Sequence, residues 1–263
     1  MDKKVDGSII QRLVVCSDLR KEIIFTLYES QKSLGDIRDS LKISATTAIH
    51  ALKELEKGNL TFQDKNKNYC LTNIGRIIAV KMLDFSNSAE VLKKHEKFWM
   101  EHDLSGFPEF FFDKIGSLKD SLVLKDTDTD IFKVHTNFIN LLKNAKEIKG
   151  ISSIYVPEFV SLFEELNHRN VDIQLVLTTE VLGKIDITVL NRIAKNKSNI
   201  NLFVMDKNIK AAITVTDSVF SLGLFRMDGT YDYSNDLVSQ SQQAIAMGKE
   251  IFNHYVKSSK RII

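Results

Sequence analysis

With 263 residues, 43% of them hydrophobic, the chain is long enough for two domains with cores of their own and too apolar to be disordered. Net charge is only +2, and two prolines with eleven glycines argue against long linkers. Apolar runs stay far short of the roughly 20 residues a membrane span needs, Met1–Asp6 holds no apolar leader core, and Cys16 and Cys70 form no C-x-x-C pair. A cytoplasmic protein with no membrane association is expected.

Residues 1–82 read as a winged helix-turn-helix. Ser17 and Asp18 cap a helix carrying Leu19, Ile23, Ile24 and Leu27 at helical spacing. Ser33 caps a second helix with Leu34, Ile37 and Leu41 inward. The turn Lys42-Ile43 leads to Ser44, a third cap, before the apolar stripe Ala48, Ile49, Leu52 and Leu55. Gly58 is expected to end that helix in the usual glycine position after the last turn. Two extended runs, Leu60–Phe62 and Tyr69–Leu71, flank the polar loop Gln63–Asn68, which predicts a basic hairpin.

The third helix leaves Ser44, Thr46, Thr47, His50 and Lys53 away from its apolar stripe. Small hydrogen-bonding side chains on such a face can reach base edges in a major groove. The same face would also suit an ordinary solvated surface, and the hairpin with Lys65, Asn66 and Lys67 tips the reading toward DNA. Residues 42–85 hold seven basic and four acidic side chains, a net of +3 that whole-chain neutrality hides.

A connecting helix is expected over 73–97, capped by Thr72. Ile78, Met82, Phe85, Ala89 and Leu92 repeat at spacings of 4, 3, 4 and 3. That is a heptad seam, which suits either a homodimer or packing against the chain's own second domain. Lys93–Lys97 is expected to be the solvated end of this helix.

Residues 98–263 predict a mixed-sheet α/β domain. Helices are expected over 110–115, 137–145, 158–167, 189–196 and 239–256. Strands are expected over 151–156, 172–178, 201–205, 211–216 and 220–225, the last two paired as a hairpin around Asp217-Ser218. Asp126–Asp130 imitates the start of a calcium loop, but Ile131 stands where glycine is needed and Asn137 where glutamate is needed. No glycine-rich phosphate loop, nucleophile elbow or zinc-spaced histidine set occurs, so no cofactor, metal or catalytic residue is expected.

From Phe98 the sequence Phe-Trp-Met-Glu-His-Asp-Leu-Ser-Gly-Phe-Pro, ending at Pro108, resembles the FW-x-x-HDLSG-I-P signature of an archaeal regulator family. That family joins a winged helix to a methanogenesis regulatory (FilR-type) middle domain. The resemblance continues in Ile115–Leu118, Ala145–Ser152, Val215–Ser218, Ser221–Phe225, Asp228–Asp232 and Ala244–Gly248, and departs at Met247, where the family pattern usually has Trp. The middle domain also resembles the TrmB-type sensor, a non-catalytic relative of the phospholipase D fold. Enzymes of that fold use His-x-Lys, and His135-Thr136-Asn137 lacks the lysine.

The resemblance implies a homodimeric transcription regulator of a methanogenic archaeon, with a DNA operator and an unknown small-molecule effector as partners. Alternatives are a DNA-binding architectural or adaptor protein without such input, and a hydrolase with a nucleic-acid module. An effector pocket is expected where the Trp99–Pro108 segment meets the carboxyl ends of the strands. Trp99, His102, Asp103, Thr178, Thr216 and Asp217 are its candidate residues. Asp103 could equally cap a turn, and Arg226, Asp228, Tyr231 and Asp232 carry the same ambiguity.

Overall fold

The computed structural model describes residues 7–195, 199–207 and 209–263. Met1–Asp6, which showed no leader core, and Asn196, at the end of an expected helix, lie outside the described residues. The chain divides into two compact units, with the break between Ser86 and Asn87.

In the first unit, α1 (Ser8–Val15) precedes the helices expected from the sequence, α2 (Asp18–Glu29), α3 (Leu34–Leu41) and α4 (Ala45–Lys57). All three serine caps are formed. Ser17 Oγ accepts the Arg20 N–H at 3.4 Å, Ser33 and Asp36 make a reciprocal capping box, and Ser44 Oγ accepts the Thr47 N–H at 3.1 Å. Each satisfies a donor that a helix start leaves without an intrahelical acceptor. Ile23, Ile24, Ile37, Leu52 and Leu55 are fully buried between the helices. Strands β1 (Thr61–Gln63) and β2 (Tyr69–Leu71) pair antiparallel, with Phe62 opposite Cys70.

Gly58 ends α4, though not in the conformation expected. Its φ is −80°, and Asn59 takes the left-handed conformation instead, at φ 57°. A Cβ on Gly58 would meet the tip of the Leu13 side chain from α1, which would have to move aside.

Thr72 Oγ1 accepts the Gly75 N–H at 3.0 Å and opens α5 (Asn73–Lys94). The expected heptad seam divides. Ile78 and Met82 pack into the core of the first unit, whereas Phe85 and Leu92 are 73% and 46% exposed. Ile78 and Met82 are therefore corrected from dimer contacts to intrachain ones. The chain then turns at His95, which is buried with its Nε2 3.0 Å from Ser121 Oγ, before α6 (Glu96–Glu101). The charge run expected to be solvated thus contains one core residue.

The second unit continues with α7 (Glu109–Asp113), β3 (Leu122–Lys125), α8 (Lys133–Lys143), β4 (Glu147–Ser152), α9 (Pro157–His168) and β5 (Asp172–Thr178). Next come α10 (Thr179–Leu182), α11 (Ile187–Lys195), β6 (Ile200–Met205), β7 (Ala211–Thr216) and β8 (Phe220–Leu224). β9 (Asn235–Ser239), α12 (Gln242–Lys257) and β10 (Lys260–Arg261) complete it. One eight-stranded sheet results, in the order β10-β6-β5-β4-β7-β8-β9-β3. β4, β5 and β6 are parallel, joined by helical crossovers, and every other pairing is antiparallel, including the expected β7-β8 hairpin.

Several expected boundaries moved: the strand expected over 151–156 spans Glu147–Ser152, and the helix expected over 137–145 spans Lys133–Lys143. β4 ends at Ser152, not Val156, because the Ser152 hydroxyl bonds both backbone groups of Ile154 and turns the chain. Ser239 belongs to β9, and the last helix starts later, capped by Ser241 Oγ on the Ala244 N–H at 3.1 Å.

Strand alternation sorts the two faces of this sheet by size. Ile151, Val176, Ile213, Val215, Phe220 and Leu222 share one buried cluster with Ile251 and Phe252 of α12. The opposite face carries small residues on β4, β7 and β8, namely Gly150 and Ser152, Ala212 and Thr214, Ser221 and Gly223, while β5 adds Leu175 and Leu177 beside them.

Replacing Ser33 by Ala should lower stability by about 1 kcal/mol, because it leaves the Asp36 N–H uncapped. Urea denaturation followed by helical circular dichroism measures the change, and an unaltered midpoint would show that the capping box contributes nothing.

Candidate functional site

On α4, Thr46, His50 and Lys53 are exposed at i, i+4 and i+7 and so form one stripe. Ser44 and Thr47 are exposed beside it but tied to each other, their hydroxyls 2.7 Å apart. Ser44 is therefore committed to capping, and the free groups of the stripe are the other three. The hairpin loop is organised by Asp64, whose Oδ1 accepts the N–H groups of Asn66 and Asn68, both at 2.8 Å. Lys65, Asn66 and Lys67 stand exposed at its tip.

Lys42, a further candidate DNA contact in the turn before α4, and Lys67 both sit in the left-handed region. Lys42 closes α3 at φ 54°, and Lys67 turns the hairpin at φ 64°. Glycine or asparagine would adopt that conformation with less strain.

The residues expected to line an effector pocket have other roles. Trp99 packs against the α12-side cluster, with its Nε1 donating to the Val91 carbonyl at 3.2 Å. Asp103 accepts the Ser105 N–H at 2.8 Å, and hydrogen bonding from the Ser105 side chain, followed by that from its backbone, lowers the Asp103 pKa. Thr178 caps α10, Thr216 accepts from Ser218 and Val219 in the β7-β8 turn, and Asp217 accepts the Lys146 N–H at 2.9 Å. Met247, in the position where the family pattern has Trp, is buried in the α12-side cluster.

His102 is also structural. It is buried, with Nδ1 2.6 Å from the Phe98 carbonyl and Nε2 3.1 Å from Asp232 Oδ2. Burial alone would raise the Asp232 carboxyl, but Arg226, Ser234 and Asn235 hydrogen-bond its charged form and hold it at about 2. This cluster latches the segment after α6 to the loop after β8.

The large cavity lies on the other face of the sheet. Its volume is about 510 Å³, within the size range of small-molecule sites, and none of Trp99, His102, Asp103, Thr178, Thr216 or Asp217 lines it. The large cavity is thus not where the sequence placed the pocket, although His102 lines a second, smaller hollow of about 180 Å³ beside Ser234 and Asn235. The floor of the large cavity is the small-residue face of β4, β7 and β8, and α8, α9 and α10 supply the wall with Phe138, Phe159, Phe163 and Val181. Tyr231 lies over Gly223, where any Cβ would collide with its hydroxyl. Burial, assisted by the nearby Asp236 charge, raises that phenol well above its ordinary range, so it remains a neutral donor.

Asp236 is the unusual group on this floor. It is 6% exposed; Ser221 Oγ donates to its Oδ2 at 2.8 Å, while Oδ1 has no partner. Sequence reading weighed Tyr231 and Asp232, which line this cavity, but missed Asp236 and the small-residue floor. The available signal was the repeated small-x-small pattern Gly150-x-Ser152, Ala212-x-Thr214 and Ser221-x-Gly223, opposite Phe159 and Phe163 one helical turn apart.

A helical unit presenting a polar helix face and a lysine-tipped hairpin, followed by a mixed-sheet unit enclosing a cavity, defines the class of a two-unit regulatory protein. Residues 10–88 match the family model for the N-terminal domain of the methanogenesis regulatory protein FilR1, and residues 131–258 match the model for its middle domain. The chain belongs to this family of archaeal regulators. It is 24% identical over 258 residues to methanogenesis regulatory protein FilR1 of Methanothrix harundinacea (strain 6Ac), covering 95% of this chain but 57% of the relative. The chain thus spans little more than half the length of that protein. Among solved structures, the archaeal chromatin protein TrmBL2 is similar at 14% identity and a TM-score of 0.45, over 98% of this chain and 100% of that one. An IclR-type regulator from Alicyclobacillus acidocaldarius is similar at 8% identity and a TM-score of 0.26, over 90% of this chain and 94% of that one. Neither likeness is close enough to decide function.

Burial pushes the Asp236 carboxyl up to about 7, hydrogen bonding from the Ser221 hydroxyl and the Leu222 backbone offsetting only part of it. An unfolded Asp titrates near ~3.9. Between those pH values the folded state holds a proton that the unfolded state has lost. Stability therefore falls as pH rises from about 4 to about 7, and then levels off. Asp236→Asn should gain on the order of a few kcal/mol over the parent at pH 8 and almost nothing near pH 4. Urea denaturation of both proteins at both pH values checks this, and an equal difference at the two would show that Asp236 does not titrate in that window.

Proposed function

We propose that this chain is a sequence-specific DNA-binding transcription regulator of a methanogenic archaeon, acting in the cytoplasm as a homodimer whose second unit responds to a small effector. The three helices α2–α4 with the β1-β2 hairpin are the parts of a winged helix-turn-helix, with α4 as the recognition helix and the hairpin as the wing. One observation carries the reading: the exposed Thr46–His50–Lys53 stripe is accompanied by lysines held at strained turn positions. Strain that persists where a glycine would relieve it points to a use for the side chain. Thr46 and His50 then read base edges from the major groove, with Thr47 alongside. Lys42, Lys53, Lys65 and Lys67 contact phosphates.

Replacing Lys65 or Lys67 by Ala should weaken binding to all sequences and reduce the salt slope by about 0.9 for each lost phosphate contact. Lys67→Gly should separate the two roles of that residue, stabilising the fold by up to about 1 kcal/mol through relief of the left-handed strain while still weakening DNA binding. Anisotropy titrations over a salt series, paired with thermal melts, measure both effects. Absence of duplex affinity even at about 50 mM salt would overturn the DNA reading.

The exposed face of α5 supports the dimer. Ile74, Ile77, Phe85 and Leu92 are large apolar side chains left in solvent along one helix, and Ile78 and Met82 are spent on the chain's own core. Because Phe85 is 73% exposed, Phe85→Glu should leave the fold intact yet place a charge in the interface. Light scattering should then show a folded monomer, and a folded dimer would assign the contact elsewhere. No helix among the described residues is long and apolar enough to cross a membrane.

A further inference from the structure

Four carboxylates line the cavity of the second unit, Asp126, Glu158, Asp232 and Asp236, and among the described residues no Lys or Arg does. Three of the four are already engaged. Asp232 holds His102 and Arg226, Asp126 Oδ1 accepts the Val134 N–H at 2.8 Å, and Glu158 lies 3.4 Å from His135 near the exposed end of α9. Asp236 differs from these. It is buried on the floor, with one carboxyl oxygen bonded to Ser221 and the other unpartnered. A buried polar atom without a partner is destabilising until something supplies the missing donor.

We propose that this cavity is the effector site of the second unit and takes a small, largely apolar molecule bearing an ammonium group, seated on Asp236. The assignment rests on the effector-responsive reading of the protein, though binding itself can be tested without DNA. An ammonium brings both the donor that Asp236 Oδ1 lacks and the charge that a buried carboxylate lacks, making a charge-assisted hydrogen bond. The aromatic rings of Phe138, Phe159 and Phe163 suit the apolar body, and ring faces attract a nearby cation. Gly223 keeps the floor shallow enough for the Tyr231 hydroxyl to lie beside the seat. A carboxylate or phosphate ligand would meet like charge with no lysine or arginine among the described lining residues to receive it, and His135 on the wall is already paired with Glu158. A neutral alcohol would satisfy the open oxygen but leave the charge unpaired.

Matched probes on the intact protein test this: 3-phenylpropylamine, 3-phenylpropan-1-ol and 3-phenylpropanoate, titrated by calorimetry and by ligand-observed NMR. The amine should bind saturably, about tenfold or more tighter than the alcohol, and the carboxylate should not bind. Asp236→Asn should remove the amine's advantage and leave the alcohol's affinity within about threefold of the parent value. Ala212→Leu, which fills the floor, should abolish binding of both, and circular dichroism establishes that each variant is folded. Absence of saturable amine binding, carboxylate binding as tight as the amine's, or unchanged amine binding by the folded Asn variant would each overturn the assignment. A separate titration of operator DNA with and without bound amine addresses regulation. Unchanged DNA affinity there would remove the effector role and leave the binding site standing.

Discussion

Side-chain volume on one face of the central sheet decides what the second unit can hold. Each strand must present alternate residues to opposite faces, and here the two sets differ sharply in size. Phe220 and Leu222 point toward α12, while their neighbours Ser221 and Gly223 point the other way. The large face closes into a dense core. The small face cannot fill the space beneath α8, α9 and α10, and the remaining volume is the cavity. The same alternation places Asp236 on the cavity side and Leu237 in the core, so the buried carboxyl and the hollow follow from one pattern.

The first unit depends on a different economy. Its helices are short, and each of the three starts on a serine whose oxygen replaces a missing backbone acceptor. That leaves the exposed face of α4 free of structural duty except at Ser44 and Thr47, whose hydroxyls pair. Strain is confined to turns, where Lys42 and Lys67 occupy conformations that other residues adopt more easily. A unit that satisfies its backbone locally can carry a chemically specific surface without loss of fold.

Much of this was legible in the sequence because the signals were local. The serine caps, the apolar stripes of α2–α4, the hairpin and the bounds of β5 and β7 all depend on residues a few positions apart. Where partners are distant, legibility ended. A 4,3 spacing marks Ile78 and Met82 as buried but does not say whether the chain or a second copy covers them. β9 has no signal in the sequence because Asn235 and Asp236 are poor strand formers, and Asp236 is held inside the sheet by a hydrogen bond from the distant Ser221. The cavity was misplaced because carboxyl strand ends serve as ligand sites where their polar groups are free. At Thr178 and Thr216 those groups are used in a helix cap and a turn. The FW-x-x-HDLSG segment was correctly singled out, yet in this structure it fastens the fold.

That fastening sets an order of assembly. His102 and Asp232 are 130 residues apart, and β3 pairs only with β9 among the described strands. During synthesis the early half of the second unit leaves the ribosome without the partners that satisfy its buried imidazole and its strand edge. At typical elongation rates of about 5–20 residues per second, that interval lasts on the order of ten seconds. The first unit, whose contacts are local, can fold meanwhile. The second must wait with unpaired polar groups and apolar strand faces open to solvent, so the nascent protein is most exposed to aggregation and to chaperones at that stage.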